Sequence, residues 1–223
     1  METATNSQIE KLLGDISLIK SVISRNKKVI RMIMLPTHFK FLYLVSGFSV
    51  IGFSIAFYLL MEHYGSFSGI PVNYKSTIYL LMAMTWALLG FIKYYKWADS
   101  LSRIDKRYTL TYALEGFFSF RIVHVYLPLL ILTIIISAFF VERDTAYYVI
   151  PTISIGIGLM HNLIGSVTRL WQWIESGYWF LATGLFLLVS GHVSTPFAVS
   201  ISLGSGCILF GVTGWIPHVS KEE

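Results

Sequence analysis

The sequence predicts an all-α polytopic membrane bundle, with six transmembrane helices in three hairpins, preceded by a cytoplasmic amphipathic or coiled-coil helix. Three observations carry this expectation. Of the 223 residues, 55% are hydrophobic and 13% are charged, about half the charge a soluble domain carries, and the mean hydropathy is +0.65. Six apolar runs approach the roughly 20 residues that cross a bilayer. The basic residues gather on one side of those runs.

The spans read from the sequence are 41–61, 77–97, 122–141, 145–164, 177–193 and 196–216, giving one membrane domain over 41–216, a segment 1–36 before it and a tail, 217–223. The fifth is the shortest. Its apolar core, 178–190, is about 13 residues, so it is expected to borrow from 170–174 or to tilt against a neighbour. The short loops between spans favour antiparallel neighbours, hence hairpins laid side by side. Aromatic residues at the expected boundaries, such as Tyr94, Trp97, Tyr148, Trp171, Trp179 and Trp215, sit where amphipathic rings meet headgroups.

Sidedness follows from Lys and Arg. Seven precede the first span (Lys11, Lys20, Arg25, Lys27, Lys28, Arg31, Lys40) and six lie between the second and third (Lys93, Lys96, Arg103, Lys106, Arg107, Arg121). With Arg169 and Lys221 they share one face, leaving Lys75 and Arg143 opposite. Both termini are therefore expected in the cytoplasm, the protein being integral to a membrane of bacterial inner-membrane type. The net charge of +5 needs no nucleic-acid partner, since this bias accounts for it. Membrane lipid, further copies of the chain and a cytoplasmic protein are the expected partners.

Segment 1–36 holds the most regular pattern. Ile9, Leu12, Ile16, Ile19, Ile23, Asn26, Ile30 and Ile33 fall at alternating steps of three and four, a heptad seam with Ile at every a position. Ile at both a and d leans toward trimers or tetramers, and a lone Asn26 fixes register. Asp15 at g faces Lys20 at the next e, which favours parallel strands. A single amphipathic helix on the inner leaflet is the competing reading, because Leu13, Val22, Val29 and Met32 widen the apolar face. Pro36 ends the helix in either case. The apolar residues of this segment are spaced by charge and form no cleavable signal.

Within the spans the chemistry is sparse. No Asp or Glu lies inside an apolar core, which removes the commonest apparatus of proton-coupled transport. Small residues four apart, as in Thr152 with Gly156 and Ser154 with Gly158, make the fourth span a packing helix. The sixth repeats the device with Ser200 and Gly204, Ser202 and Gly206, and Cys207 and Gly211. His161 and Asn162 lie near the cytoplasmic end of the fourth span, at a depth comparable to His124 on the third, and with Arg169 they are candidates for a polar vestibule. An interhelical hydrogen bond is the plainer role for His161. No cofactor is expected, and no two histidines share a helix at metal-ligand spacing. Cys207 is alone, which excludes an intrachain disulfide. Ser205 in Gly204-Ser205-Gly206 has no following histidine inside a span to activate it, which disfavours an intramembrane serine protease. The stretch 98–121 reads as an interfacial helix or an extension of the second span.

A basic helix containing Ile19-Lys20 and Arg25, a first span with Ser46-Gly47-Phe48-Ser49, and a Gly-rich sixth span together resemble a group of small six-span bacterial inner-membrane proteins of no established function. Genes for such proteins often neighbour small winged-helix regulators, so the resemblance implies a signalling role by association. It assigns no catalytic residue. The expectation is a non-enzymatic oligomeric sensor or scaffold. A small-solute or ion channel or carrier is the alternative, followed by a lipid-modifying enzyme.

Overall fold

The computed structural model describes residues 39–102, 120–191 and 193–216. The described residues form helices and short connections with no strand. The helices are α1 (Lys40–Tyr64), α2 (Val72–Ser102), α3 (Phe120–Glu142), α4 (Val149–Thr168), α5 (Trp171–Ser190) and α6 (Thr195–Thr213). A 3-10 turn, Ala146–Tyr148, leads into α4. Five of them are long and apolar enough to cross a membrane: α1, α2, α5, α6 and α4 with its leading turn. The remaining helix, α3, has 23 residues, and its stretch Leu127–Glu142 is apolar. The protein is thus an all-helical membrane protein in contact with lipid.

Helix ends follow local chemistry. Gly65 closes α1 at φ 76°, a left-handed cap that costs glycine nothing. Arg169 takes the same role after α4 at φ 56°, its N–H donating to the Gly165 carbonyl. Pro151 and Pro196 lie in the first turns of α4 and α6, where the missing N–H has no helical partner to lose. Pro128 lies inside α3, where it removes one backbone bond. Hydroxyls return to their own helix: the exposed Thr85 and Ser190 and the half-buried Ser49 and Thr133 each donate to the carbonyl four residues back. Such bonds let polar side chains lie in a medium that offers no partners.

The helix bounds differ from the sequence reading most at the fifth and second helices. The fifth helix starts at Trp171, six residues before the expected span, so Glu175 lies one turn inside it. The helix includes 171–174, within the stretch from which the short span was expected to borrow. The second helix starts at Val72 and runs 31 residues to Ser102, continuing beyond the apolar run. At 1.5 Å per residue that is about 46 Å, longer than the roughly 30 Å hydrocarbon core.

The tightest pairs are one sequential hairpin and one distant pair, not three hairpins of neighbours in chain order. Helix α4 packs along α5, and α1 packs along α6, while α2 touches the rest chiefly through α1 and α3 chiefly through α4. The buried core accordingly belongs to α4, α5 and α6, with Leu187, Phe180, Phe210 and Met160 among its members. Helices α2 and α3 flank it, presenting Leu80, Met84, Leu88 and Phe91, and Ile131, Ile134, Ile135 and Phe139, as exposed apolar surface.

Candidate functional site

Glycine makes the close pairs possible. A Cβ on Gly158 would stand 2.8 Å from the Gly177 carbonyl oxygen of α5, and one on Gly211 would stand 2.9 Å from the Lys40 carbonyl oxygen of α1. Gly156 meets Thr133 of α3, Gly204 meets Ile51 of α1, and Gly206 accepts the Phe180 ring of α5. Gly47, Gly165, Gly177 and Gly184 complete the interlocking from the partner helices.

At the centre lies a serine clasp. Ser154 and Ser202 are wholly buried; Ser202 Oγ donates to Ser154 Oγ at 2.7 Å, and Ser154 Oγ donates to the Phe180 carbonyl at 2.7 Å. The Thr183 hydroxyl lies 3.4 Å from Ser154 Oγ. Three helices are thereby joined through hydroxyls whose polar atoms all have partners. Ser202 belongs to a π turn, Ser200–Gly204, which widens α6 at that level.

His161 sits one step toward the end where α1 begins. Its Nδ1 lies 2.8 Å from Ser176 Oγ on α5. Ser176 donates its single hydroxyl proton to the Trp173 carbonyl at 3.0 Å. It therefore accepts from His161 Nδ1–H, an assignment made from the network. Trp173, Phe180 and Phe210 enclose the imidazole, with ring centroids at 4.8, 5.3 and 5.6 Å. Tyr43 of α1 packs edge-on against Phe210 at 4.7 Å. The fully buried Ser176 hydroxyl, donating to a carbonyl of its own helix and paired with His161, ties α4 to α5. Ser205 is likewise engaged, accepting from Trp179 Nε1 at 2.9 Å and donating to the Ile201 carbonyl.

Of the other vestibule candidates, neither Asn162 nor Arg169 contacts the His161 ring among the described contacts. Asn162 turns its carbonyl oxygen against Gly177, where it is buried without a hydrogen-bond partner among the described residues. Arg169 is exposed at the end of α4. His124 lies on α3, but its side chain is outside the described residues, as is the whole seam from Ile9 to Ile33. Near Arg169, Trp171 Nε1 donates to Glu175 Oε1 at 2.8 Å, and Glu175 Oε2 is buried without a partner among the described residues.

Sequence reasoning missed a groove. A cavity of about 610 Å³ opens between α1, α2 and α6, at the end away from Lys40. Val50, Phe53, Phe57 and Met61 form its α1 wall, at helical steps of three and four. Tyr79, Met82 and Trp86 form the α2 wall, and Val199 and Leu203 the α6 wall. Phe67, from the α1–α2 connection, closes toward Phe57 with centroids 5.9 Å apart. The signal was present as three apolar stripes on separate helices, but convergence of α1 and α2 on the distant α6 has no sequence signature. Compared with protein-family models, curated proteins and solved structures, the chain matches none.

Proposed function

We propose that the protein is a non-enzymatic membrane sensor or scaffold that assembles with copies of itself and presents segment 1–36 to a cytoplasmic partner. In this reading six helices span an inner-membrane-type bilayer, with both termini in the cytoplasm. The observation that carries it is how the centre of the bundle is filled. Along α4, α5 and α6 the described side chains run from the Ser154–Ser202 clasp to the aromatic enclosure of His161, each of these hydroxyls bonded and each ring packed, and the buried oxygens left without a described partner on these helices are two, Asn162 Oδ1 and Glu175 Oε2. A pore or carrier needs a polar file with unspent hydrogen-bonding capacity. A protomer packed in this way favours a rigid platform for an attached cytoplasmic helix.

Crosslinking in native membranes tests the proposal. Cysteines placed at Ile16 and Ile23 are expected to self-crosslink strongly, and polar substitution of both Ile9 and Ile30 is expected to weaken that crosslink, since each buried Ile contributes about 2 kcal/mol. Absence of crosslinks, with both cysteines shielded by lipid instead, would replace the self-assembling scaffold by a surface-lying helix.

A further inference from the structure

We infer that the groove between α1, α2 and α6 is a lipid site that holds one acyl chain of an anionic phospholipid, with the headgroup at Lys75. The length of the groove points to this occupant. Its α1 wall runs from Val50 to Met61. Eleven helical steps span about 16 Å, close to half of the roughly 30 Å hydrocarbon core, which is the depth of one leaflet. The lining is apolar and aromatic, and the volume of about 610 Å³ falls in the range of built ligand sites, roughly 300–1,000 Å³.

Charge selects the headgroup. Lys75 lies four residues before Tyr79, at the head of the α2 stripe that continues through Met82 and Trp86, so it belongs to the helix face that lines the groove. Lys75 Nζ lies 4.7 Å from the centroid of Phe67, which lines the groove, and 3.4 Å from the Ser68 carbonyl oxygen. The positive end of the α2 dipole is at the same lip, since the helix begins at Val72. Glu62 shares a helical face with Tyr58, which lines a smaller pocket adjoining the groove at Ser54 and Pro196. The π turn Ser200–Gly204 adds an independent mark, because such turns recur at functional sites and this one supplies the Leu203 wall. The inference is separate from the self-assembly reading, since a protomer could hold the lipid whether or not it associates.

The test uses the full chain in nanodiscs of equal phosphatidylglycerol and phosphatidylcholine, with a trace of either lipid carrying a diazirine on its acyl chain. Adducts are mapped by mass spectrometry. Labelling of Phe53 and Leu203 is expected to exceed that of Ile134, a lipid-facing residue of α3, and to favour phosphatidylglycerol about fivefold, the factor one lysine near a membrane surface supplies. Lys75→Gln should abolish the preference and Lys75→Arg should keep it. Met82→Trp, on the loosely packed α2, should cut labelling at Phe53 and Leu203 about tenfold while sparing Ile134, which also reports that the bundle is intact. Equal labelling of groove and Ile134, or no headgroup preference in the unaltered chain, would overturn the inference. So would stronger labelling by a photoreactive free fatty acid than by either phospholipid, or protein–protein adducts from a diazirine amino acid at Met82, which would place a second copy in the groove.

Discussion

At the scale of single residues, the decisive quantity is the space a methyl group would need. Gly47 and Gly52 are both in α1, five residues apart, and composition treats them alike. A Cβ on Gly47 would stand 2.7 Å from the Gly204 carbonyl oxygen and 2.6 Å from Ile208 Cγ1, whereas nothing lies within 4 Å of one on Gly52. Gly47→Ala must therefore push α1 off α6, at an expected cost of about 1–3 kcal/mol. Gly52→Ala is expected to be neutral or stabilising by up to about 1 kcal/mol through helix propensity. Unfolding of the two variants in mixed detergent micelles measures the difference; equal stabilities would contradict the α1–α6 contact. The small-residue spacing of the fourth and sixth spans was legible as packing because period and residue size suffice for that statement. The partners were not, since Ser176 becomes the counterpart of His161 only when α5 begins at Trp171 and turns that face inward.

At the scale of elements, α6 departs most from a regular helix. Its π turn, Ser200–Gly204, separates a part facing the groove, with Val199, from a part packed on α1 and α5 through Gly206 and Gly211. One extra residue in the turn reconciles two faces that a continuous α-helix would place about 100° apart. Deleting Ser200 should restore regular helix while leaving Ser202 able to donate to Ser154. The part carrying Val199 then rotates away from the groove. The expected result is a loss of about 3 kcal/mol, the upper end of ordinary single-site effects, with reduced acyl-chain labelling at Leu203. Unchanged stability and labelling would reduce the π turn to slack in the chain. The sequence displays this region as a Gly- and Ser-rich apolar run, which states that backbones approach there. It does not state the local pitch, because that depends on which neighbours each end must reach.

At the scale of the whole molecule, the arrangement of ends ties the charge pattern to a direction across the membrane. The start of α1 and the end of α6 lie together, with Lys40 Nζ 3.6 Å from the Trp215 ring centroid. Lys93, near the end of α2, stands 5.5 Å from the Tyr43 ring centroid, on the same level. The contact of Trp173 with Phe210 at 4.8 Å brings the start of α5 to that end, and Arg169, just before it, with them. Lys75, in the first turn of α2, and Arg143, in the connection after α3, lie at the opposite end. Among the described residues, Lys40, Lys93 and Arg169 thus lie at one end, which in the proposed orientation is the cytoplasmic one. If α2 crosses the membrane, cysteines at Ser68, before the helix, and at Ser102, at its last described residue, should react with a membrane-impermeant maleimide from opposite sides. In sealed right-side-out vesicles Ser68→Cys is expected to label at once and Ser102→Cys only after permeabilisation. The reverse order would invert the protein and place the groove mouth in the cytoplasmic leaflet, and labelling of both from one side would remove α2 from the set of spanning helices.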